Sequence, residues 1–186
     1  AYLKHHADYA YYGCLAPSDS ADLQIICYTD ADWNGDASTT KSTSGLFVLL
    51  VSEKSGNSWP LAHATNKQRS TASSTCEAET VSLSEGLRRE AMPIQLLLET
   101  FLRKRLAIVC RVDNTQAISA ATKGYSKKLR HLPRTQRCAI GVLHECITDD
   151  DFGISIEHCP TKDMLGDIFT KALNPADFIR MREKIG

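Results

Sequence analysis

The chain has 186 residues, enough for one domain with its own core, and 42% hydrophobic with 24% charged residues is ordinary globular composition. Its charges sum to a formal net of +0, which argues against a protein that holds nucleic acid by bulk positive charge. No apolar run approaches the roughly 18 residues of a membrane span, and no signal-peptide pattern opens the chain. The seven cysteines are scattered without a C-x-x-C pair, so we expect reduced core residues of an intracellular protein, with no disulfide partner and no zinc site.

Ala1-Tyr2-Leu3-Lys4 reads as mid-sequence, so residues 1–20 are expected to be a tail joined to a preceding region. Residues 21–173 are expected to form the domain proper, and 174–186 a C-terminal helix. Leu23–Ala31, Thr43–Val51 and Ser58–Thr65 read as three strands with short connections, an antiparallel meander. The period then changes. Ser74-Thr75-Cys76-Glu77 has the spacing of a capping box, with Ser74 as N-cap and Glu77 reaching back, so a helix is expected from there to about Arg89. Pro93 is tolerable in a first turn or as a kink before a helix over Ile94–Leu102. A strand follows at Leu106–Val112, then helices at Asn114–Thr122 and Arg134–Thr148. The pattern ends with a strand at Gly153–Cys159, a helix at Asp163–Ala172 and a last helix opened by Asn174-Pro175. The expectation is an α/β fold: a mixed five-stranded sheet, meander plus two parallel strands, with helices on its faces.

The chemistry concentrates in carboxylates at element ends. The apolar run Leu23–Tyr28 stops at Thr29-Asp30-Ala31-Asp32-Trp33. Asp30 and Asp32 are two apart and share a strand face, but Asp32 borders the turn Trp33-Asn34-Gly35 and suits a turn role better. Glu77 and Glu79 are about 200° apart on a helix. Glu77 is explained by the cap, whereas Glu79 lies in line with Leu83 and Leu87, on the stripe that should face the sheet. A carboxylate there is costly unless a cation compensates it. Asp113 ends the strand after Val112, and taken alone is a plain N-cap. Asp163 suits a favourable first turn, and Asp167 could simply pair with Lys171 at i,i+4. Asp30, Glu79, Asp113 and Asp167 together, in that order, are what a two-metal phosphodiesterase needs: hard oxygen ligands flanking two Mg²⁺ ions about 4 Å apart. Without metal the carboxylates would repel and raise one another's pKa values.

Charge is uneven in one other place. Between Thr115 and His144 there is no acidic residue, while Lys123, Lys127, Lys128, Arg130, Arg134 and Arg137 are all basic. Such a local patch suits phosphate backbones, so these six are the expected nucleic-acid contacts.

The motifs Tyr28-Thr29-Asp30-Ala31-Asp32-Trp33-Asn34-Gly35-Asp36, Lys41-Ser42-Thr43-Ser44-Gly45, Ser73-Ser74-Thr75-Cys76-Glu77-Ala78-Glu79, Asp113-Asn114-Thr115-Gln116 and Pro160-Thr161-Lys162-Asp163-Met164-Leu165-Gly166-Asp167-Ile168-Phe169-Thr170-Lys171 stand in this order. Over about residues 21–173 the chain resembles the ribonuclease H domain of copia-type LTR retrotransposon polyproteins, and residues 1–12 resemble the end of the preceding reverse-transcriptase region. The resemblance implies a ribonuclease H-like fold and metal-dependent cleavage of the RNA strand of RNA–DNA hybrids during reverse transcription. It implies metal binding at Asp30, Glu79, Asp113 and Asp167, with Mg²⁺ as two ions and Mn²⁺ as a substitute. The implied partners are the hybrid and the reverse-transcriptase region of the same polyprotein, without a membrane. The implied setting is intracellular, in a cytoplasmic virus-like particle or the nucleus. Asp163, His158 and Asp32 are auxiliary candidates, His158 because cellular ribonucleases H carry a His before the last Asp. Thr80 stands where the family commonly has Tyr, and Arg130–Cys146 keeps only a faint likeness to the family pattern.

Two rivals remain. One is a catalytically silent nucleic-acid-binding or structural module of a decayed or domesticated element, against which the four retained acids weigh. The other is an integrase-type site, whose order of Asp, Asp and a late helical Glu does not match an early Glu79 and a late Asp167.

Overall fold

The computed structural model describes residues 10–185; the N-terminal part of the expected tail lies outside them. A five-stranded sheet organises the chain, in the order β3-β2-β1-β4-β5, with β1 at Leu23–Asp32, β2 at Thr43–Ser52, β3 at Ser58–Lys67, β4 at Ile108–Val112 and β5 at Ile154–His158. β1, β2 and β3 pair antiparallel, while β4 runs parallel to β1 and β5 parallel to β4. This is the mixed sheet expected from the sequence, and with helices on its faces it is a ribonuclease H-like fold.

Alternation along β1 and β2 divides two cores. Ile25, Cys27, Leu46, Val48 and Leu50 turn to one face, where Leu83, Leu87, Ala91, Leu143 and Cys146 cover them with Ile108 and Cys110. Ile26, Tyr28, Phe47 and Leu49 turn to the other, under Met164, Leu165, Met181 and Ile185. The helix α6 at Pro175–Ile185 is therefore part of the second core, since it buries Met181 and Ile185 there. All seven cysteines are free thiols. Among the described residues, no helix is long and apolar enough to cross a membrane.

Three local structures depart from expectation. The helix capped by Ser74 does not stop near Arg89. α1 at Thr75–Glu85 passes through a π-helical stretch, Gly86–Ala91, into α2 at Met92–Leu102. Pro93 offers no N–H to the preceding turn, and a widened π turn accommodates that loss where a regular α turn would be broken. The expected helix over Arg134–Thr148 is divided into a single turn, α4 at Leu132–Thr135, and α5 at Ile140–Thr148. Arg137 adopts a left-handed φ of 55° between them, and Gln136 is tied to Ser70 instead of continuing the helix, through bonds of 2.7 Å and 3.1 Å to the Ser70 backbone. The expected helix Asp163–Ala172 is replaced by two 3₁₀ turns, Thr161–Asp163 and Leu165–Phe169, separated by extended Met164. Gly166 explains the tight course, because a Cβ there would come within 3.0 Å of the Asp30 Cβ and 3.1 Å of its backbone nitrogen.

A second close approach sets the seat of α1 on the sheet. A Cβ on Gly86 would lie 2.6 Å from Thr29 Cγ2, and Thr29 is fully buried. Gly86→Ala should therefore destabilise the fold by about 1–3 kcal/mol through overpacking, despite the better helix propensity of Ala. Urea denaturation checks this; an unchanged midpoint would mean that the helix can lift off Thr29 freely.

Candidate metal centre

The site arises from a mismatch in strand length. The parallel register of β1 with β4 ends at the pair Tyr28–Arg111, while the pairing of β1 with β2 continues through Asp30–Gly45 to Asp32–Thr43. Beyond Tyr28, β1 thus has an open flank on the β4 side. Asp30 projects at this notch, Asp113 arrives from the end of β4, and α1 lowers Glu79 into it. Asp30, Glu79 and Asp113 each offer a carboxylate oxygen, and the three oxygens lie within 4.8 Å of one another. Backbone bonds hold the arrangement. The Ala31 N–H, free of a β4 partner, donates to Glu79 Oε1 at 3.3 Å, and Ser82 Oγ donates to the Asp30 carbonyl at 2.7 Å. Gln68 Nε2 donates to the Ala78 carbonyl at 2.8 Å and to Ser44 Oγ at 2.9 Å, which fixes the first turn of α1 to β2.

Asp167 is buried beside this trio but is not one of it. Lys171 stands between, with Nζ 2.9 Å from Asp167 Oδ1 and 3.6 Å from Asp30 Oδ2. Thr170 donates its hydroxyl to Asp30 Oδ2 in a short hydrogen bond. The i,i+4 pair anticipated for Asp167 exists, and its ammonium also serves Asp30.

The electrostatics follow from crowding anions out of water. Burial, then the charges of Asp30 and Asp113, push Glu79 up to about 9. Burial, then Asp30, push Asp167 up to about 7. Asp113 is raised by burial and Asp30, against the pull of Thr161, Lys171 and His158. Burial lowers Lys171, but Asp30 and Asp167 more than offset it and hold the ammonium above its ordinary range. Glu79 Oε2 is buried without a hydrogen-bond partner. Hard, anionic and partly unsatisfied oxygens fit a divalent cation, and their compression is what such a cation would relieve.

The other sequence candidates lie elsewhere. Asp32 is the last residue of β1, not a turn residue past it; burial raises its carboxyl, and it stands outside the trio. Asp163 faces away and pairs with Lys184 at 2.5 Å. His158 is exposed at the end of β5 and stands outside the trio, although it helps to pull the Asp113 carboxyl down. Lys123, Lys127, Lys128, Arg130, Arg134 and Arg137 are all exposed. Lys123 and Lys128 line a groove with Ser74, Cys76 and Ser119, and an adjoining cleft bounded by Ser74, Cys76 and Thr115 reaches Asp113. Sequence reasoning missed Thr170 and the double role of Lys171. The spacing of Thr170 and Lys171 from Asp167 was the available signal, but only the fold brings them to Asp30.

Glu77 also departs from expectation. The Glu77 N–H donates to the N-cap Ser74 Oγ at 3.2 Å, but the Glu77 carboxylate does not return to Ser74. It accepts from the Ser73 N–H at 2.9 Å and the Ser73 hydroxyl at 2.6 Å.

No protein-family model matches the chain. It is 27% identical over 167 residues to the retrovirus-related Pol polyprotein from transposon RE1 of Arabidopsis thaliana, a match covering 88% of this chain and 10% of the relative. The corresponding polyprotein from transposon RE2 of the same plant is 26% identical over 165 residues, with the same coverage of 88% and 10%. The chain is thus similar to retrovirus-related Pol polyproteins of transposons. The chain spans about a tenth of the length of those curated relatives. Among solved structures, the N-terminal RNase H domain of a Mycobacterium tuberculosis protein is similar at 12% identity and a TM-score of 0.49, covering 89% of this chain and 100% of that one.

The raised carboxyls make the stability of the chain depend on pH. A carboxyl whose folded pKa exceeds its unfolded one contributes stability that is fully present below the unfolded value and lost as pH rises through the folded value. From an ordinary 3.8, Asp167 spends its contribution by about pH 7; from 4.5, Glu79 continues to about pH 9. The metal-free protein should therefore melt at falling temperature up to about pH 9, and between pH 7 and 9 it is Glu79, not Asp167, whose contribution continues to fall. Glu79→Gln, which cannot ionise, should flatten that interval and melt at least about 2 °C above the parent at its upper end. Differential scanning fluorimetry in chelator decides it, and parallel curves for the two proteins would remove the burden from Glu79.

Proposed function

We propose that the chain is a metal-dependent endonuclease that hydrolyses the RNA strand of RNA–DNA hybrids. The observation that carries the reading is the meeting of Asp30, Glu79 and Asp113 oxygens within 4.8 Å, in the notch of a ribonuclease H-like sheet with Asp167 and Lys171 alongside. Asp30, Glu79, Asp113 and Asp167 would hold two divalent ions, Mg²⁺ with Mn²⁺ as a substitute. Bound there, such ions supply an activated water and neutralise charge on the leaving oxygen. The protein's own part is positional. The Ala31 N–H holds Glu79, Thr170 orients the Asp30 carboxylate, and Lys171 lowers the repulsion between Asp30 and Asp167.

The groove from Asp113 past Ser74 and Thr115 toward Lys123 and Lys128 supports a path for the nucleic acid. Its hydroxyls and exposed cations suit phosphates and 2′-hydroxyls across a shallow minor groove. The relatives are Pol polyproteins of transposons, so the reading extends to reverse transcription beside a reverse-transcriptase region of the same polyprotein. That work would take place inside the cell, in a virus-like particle or the nucleus.

Labelled RNA annealed to DNA, with Mg²⁺, tests the activity. Asp30→Asn and Asp113→Asn should each reduce cleavage by orders of magnitude while the fold survives, because Asn keeps the shape and loses the charge. Full activity in Asp113→Asn would sink the site, and an inert parent protein would favour a silent binding module. Neutralising Lys127, Lys128 and Arg130 together should weaken hybrid binding and reduce its salt dependence by roughly one unit of slope per lost contact. An unchanged slope would place the grip elsewhere.

A further inference from the structure

We infer that His131 and Glu77 form a latch that positions the basic segment from Lys123 to Arg137 against α1, and so sets where a hybrid's backbone lies relative to the carboxylate trio. The inference rests on the reading above in taking that segment as the grip.

Two positions from Glu79, the Glu77 side chain leaves α1 about 200° away, on the side where the basic segment runs. Glu77 is only 1% exposed, and a buried carboxylate must be compensated. Ser73 supplies a local share from its N–H and hydroxyl. The remaining partner comes from far along the chain: His131 Nε2 lies 3.1 Å from the same oxygen, Oε2. An ordinary capping box would need no such partner.

The segment's own pattern agrees. Its cations, Lys127, Lys128, Arg130, Arg134 and Arg137, point outward, while Leu129, Leu132 and Gln136 are buried and His131 is half-buried between them. Leu129 and Leu132 pack with Val81 of α1 and Ala120 of α3, the helix at Thr115–Lys123. Gln136 bonds the Ser70 backbone, and Ser70 Oγ donates to the Thr135 carbonyl at 2.8 Å. Among the described residues from Lys123 to Arg137, His131 is the polar tether that ends on α1, the helix that carries Glu79, and just beyond them the Cys138 thiol reaches the Thr80 carbonyl of the same helix at 3.9 Å. A shift at the His131 contact therefore moves the cations relative to the site itself. Held this way, His131 acts as a positioning residue and touches no substrate.

The test compares His131→Ala and His131→Gln with the parent, by hydrogen exchange and by hybrid affinity measured in an Asp113→Asn background that does not cleave. In His131→Ala, amides of residues 125–139 should exchange about tenfold faster, those of the β1 strand should not change, and hybrid affinity should fall by about tenfold. In the cleaving protein the loss should appear in KM, with kcat largely kept. Gln carries an N–H donor of similar reach, so His131→Gln should restore most of both effects. Unchanged exchange in His131→Ala overturns the latch. Faster exchange with unchanged affinity, while neutralising Lys127, Lys128 and Arg130 does weaken binding, overturns the positioning role. If the lysine and arginine variant also leaves affinity unchanged, the failure belongs to the reading of the segment as the grip.

Discussion

The site depends on one backbone fact: β1 outruns β4. Every main-chain polar group in a sheet interior needs a partner, and where β4 leaves after Val112 the flank of β1 is left with an amide to satisfy. The Ala31 N–H meets that need with Glu79 Oε1, so the requirement for a hydrogen bond and the assembly of an anionic cluster are settled by the same contact. Asp30 then has β2 on one side and open space on the other. Asp113 reaches that space because it is the first residue past β4. The neighbouring close contacts, Gly86 on Thr29 and Gly166 on Asp30, follow from helix and C-terminal segment both pressing on this end of the sheet.

Unpaired anionic oxygens in a buried site are unfavourable to the apo fold, and the structure contains one internal offset, Lys171. Its ammonium touches Asp30 and Asp167 and acts on Glu79 only from a distance, as the smallest of the causes at that carboxyl, which matches the larger displacement of Glu79 from ordinary carboxyl behaviour. One positive charge among four carboxylates limits the repulsion without removing it. The remainder is the driving force available for cation binding.

Much of this was legible in the sequence where local rules dominate. The strands were readable because apolar runs such as Leu23–Tyr28 end in polar turns, and Glu79 stood out because a carboxylate on the stripe of Leu83 and Leu87 demands an explanation. Legibility failed where tertiary contacts overrule propensity. Pro93 suggested a boundary, but a π turn carries the helix through it. Residues 163–172 have a helical pattern, yet the approach of Gly166 to Asp30 imposes 3₁₀ turns. Glu77 fits a capping box by spacing, and only the arrival of Ser73 and His131 redirects it. Asp163 stood as an auxiliary candidate beside Asp167, and its pairing with Lys184 on α6 gives it another role.

The replacement of a regular helix by 3₁₀ turns around Asp167 bears on the order in which the protein becomes competent. Such short turns have little stability of their own, and here they are held by Met164 and Leu165 against the strands and by Met181 and Ile185 of α6. As a nascent chain leaves the ribosome, Asp30, Glu79 and Asp113 are all synthesised well before the residues that secure Asp167. The sheet and α1 can consolidate first, since domains acquire structure from the N-terminal side during synthesis. The fourth carboxylate and its lysine lie on the segment made last, so the scaffold is synthesised before the charge cluster is complete.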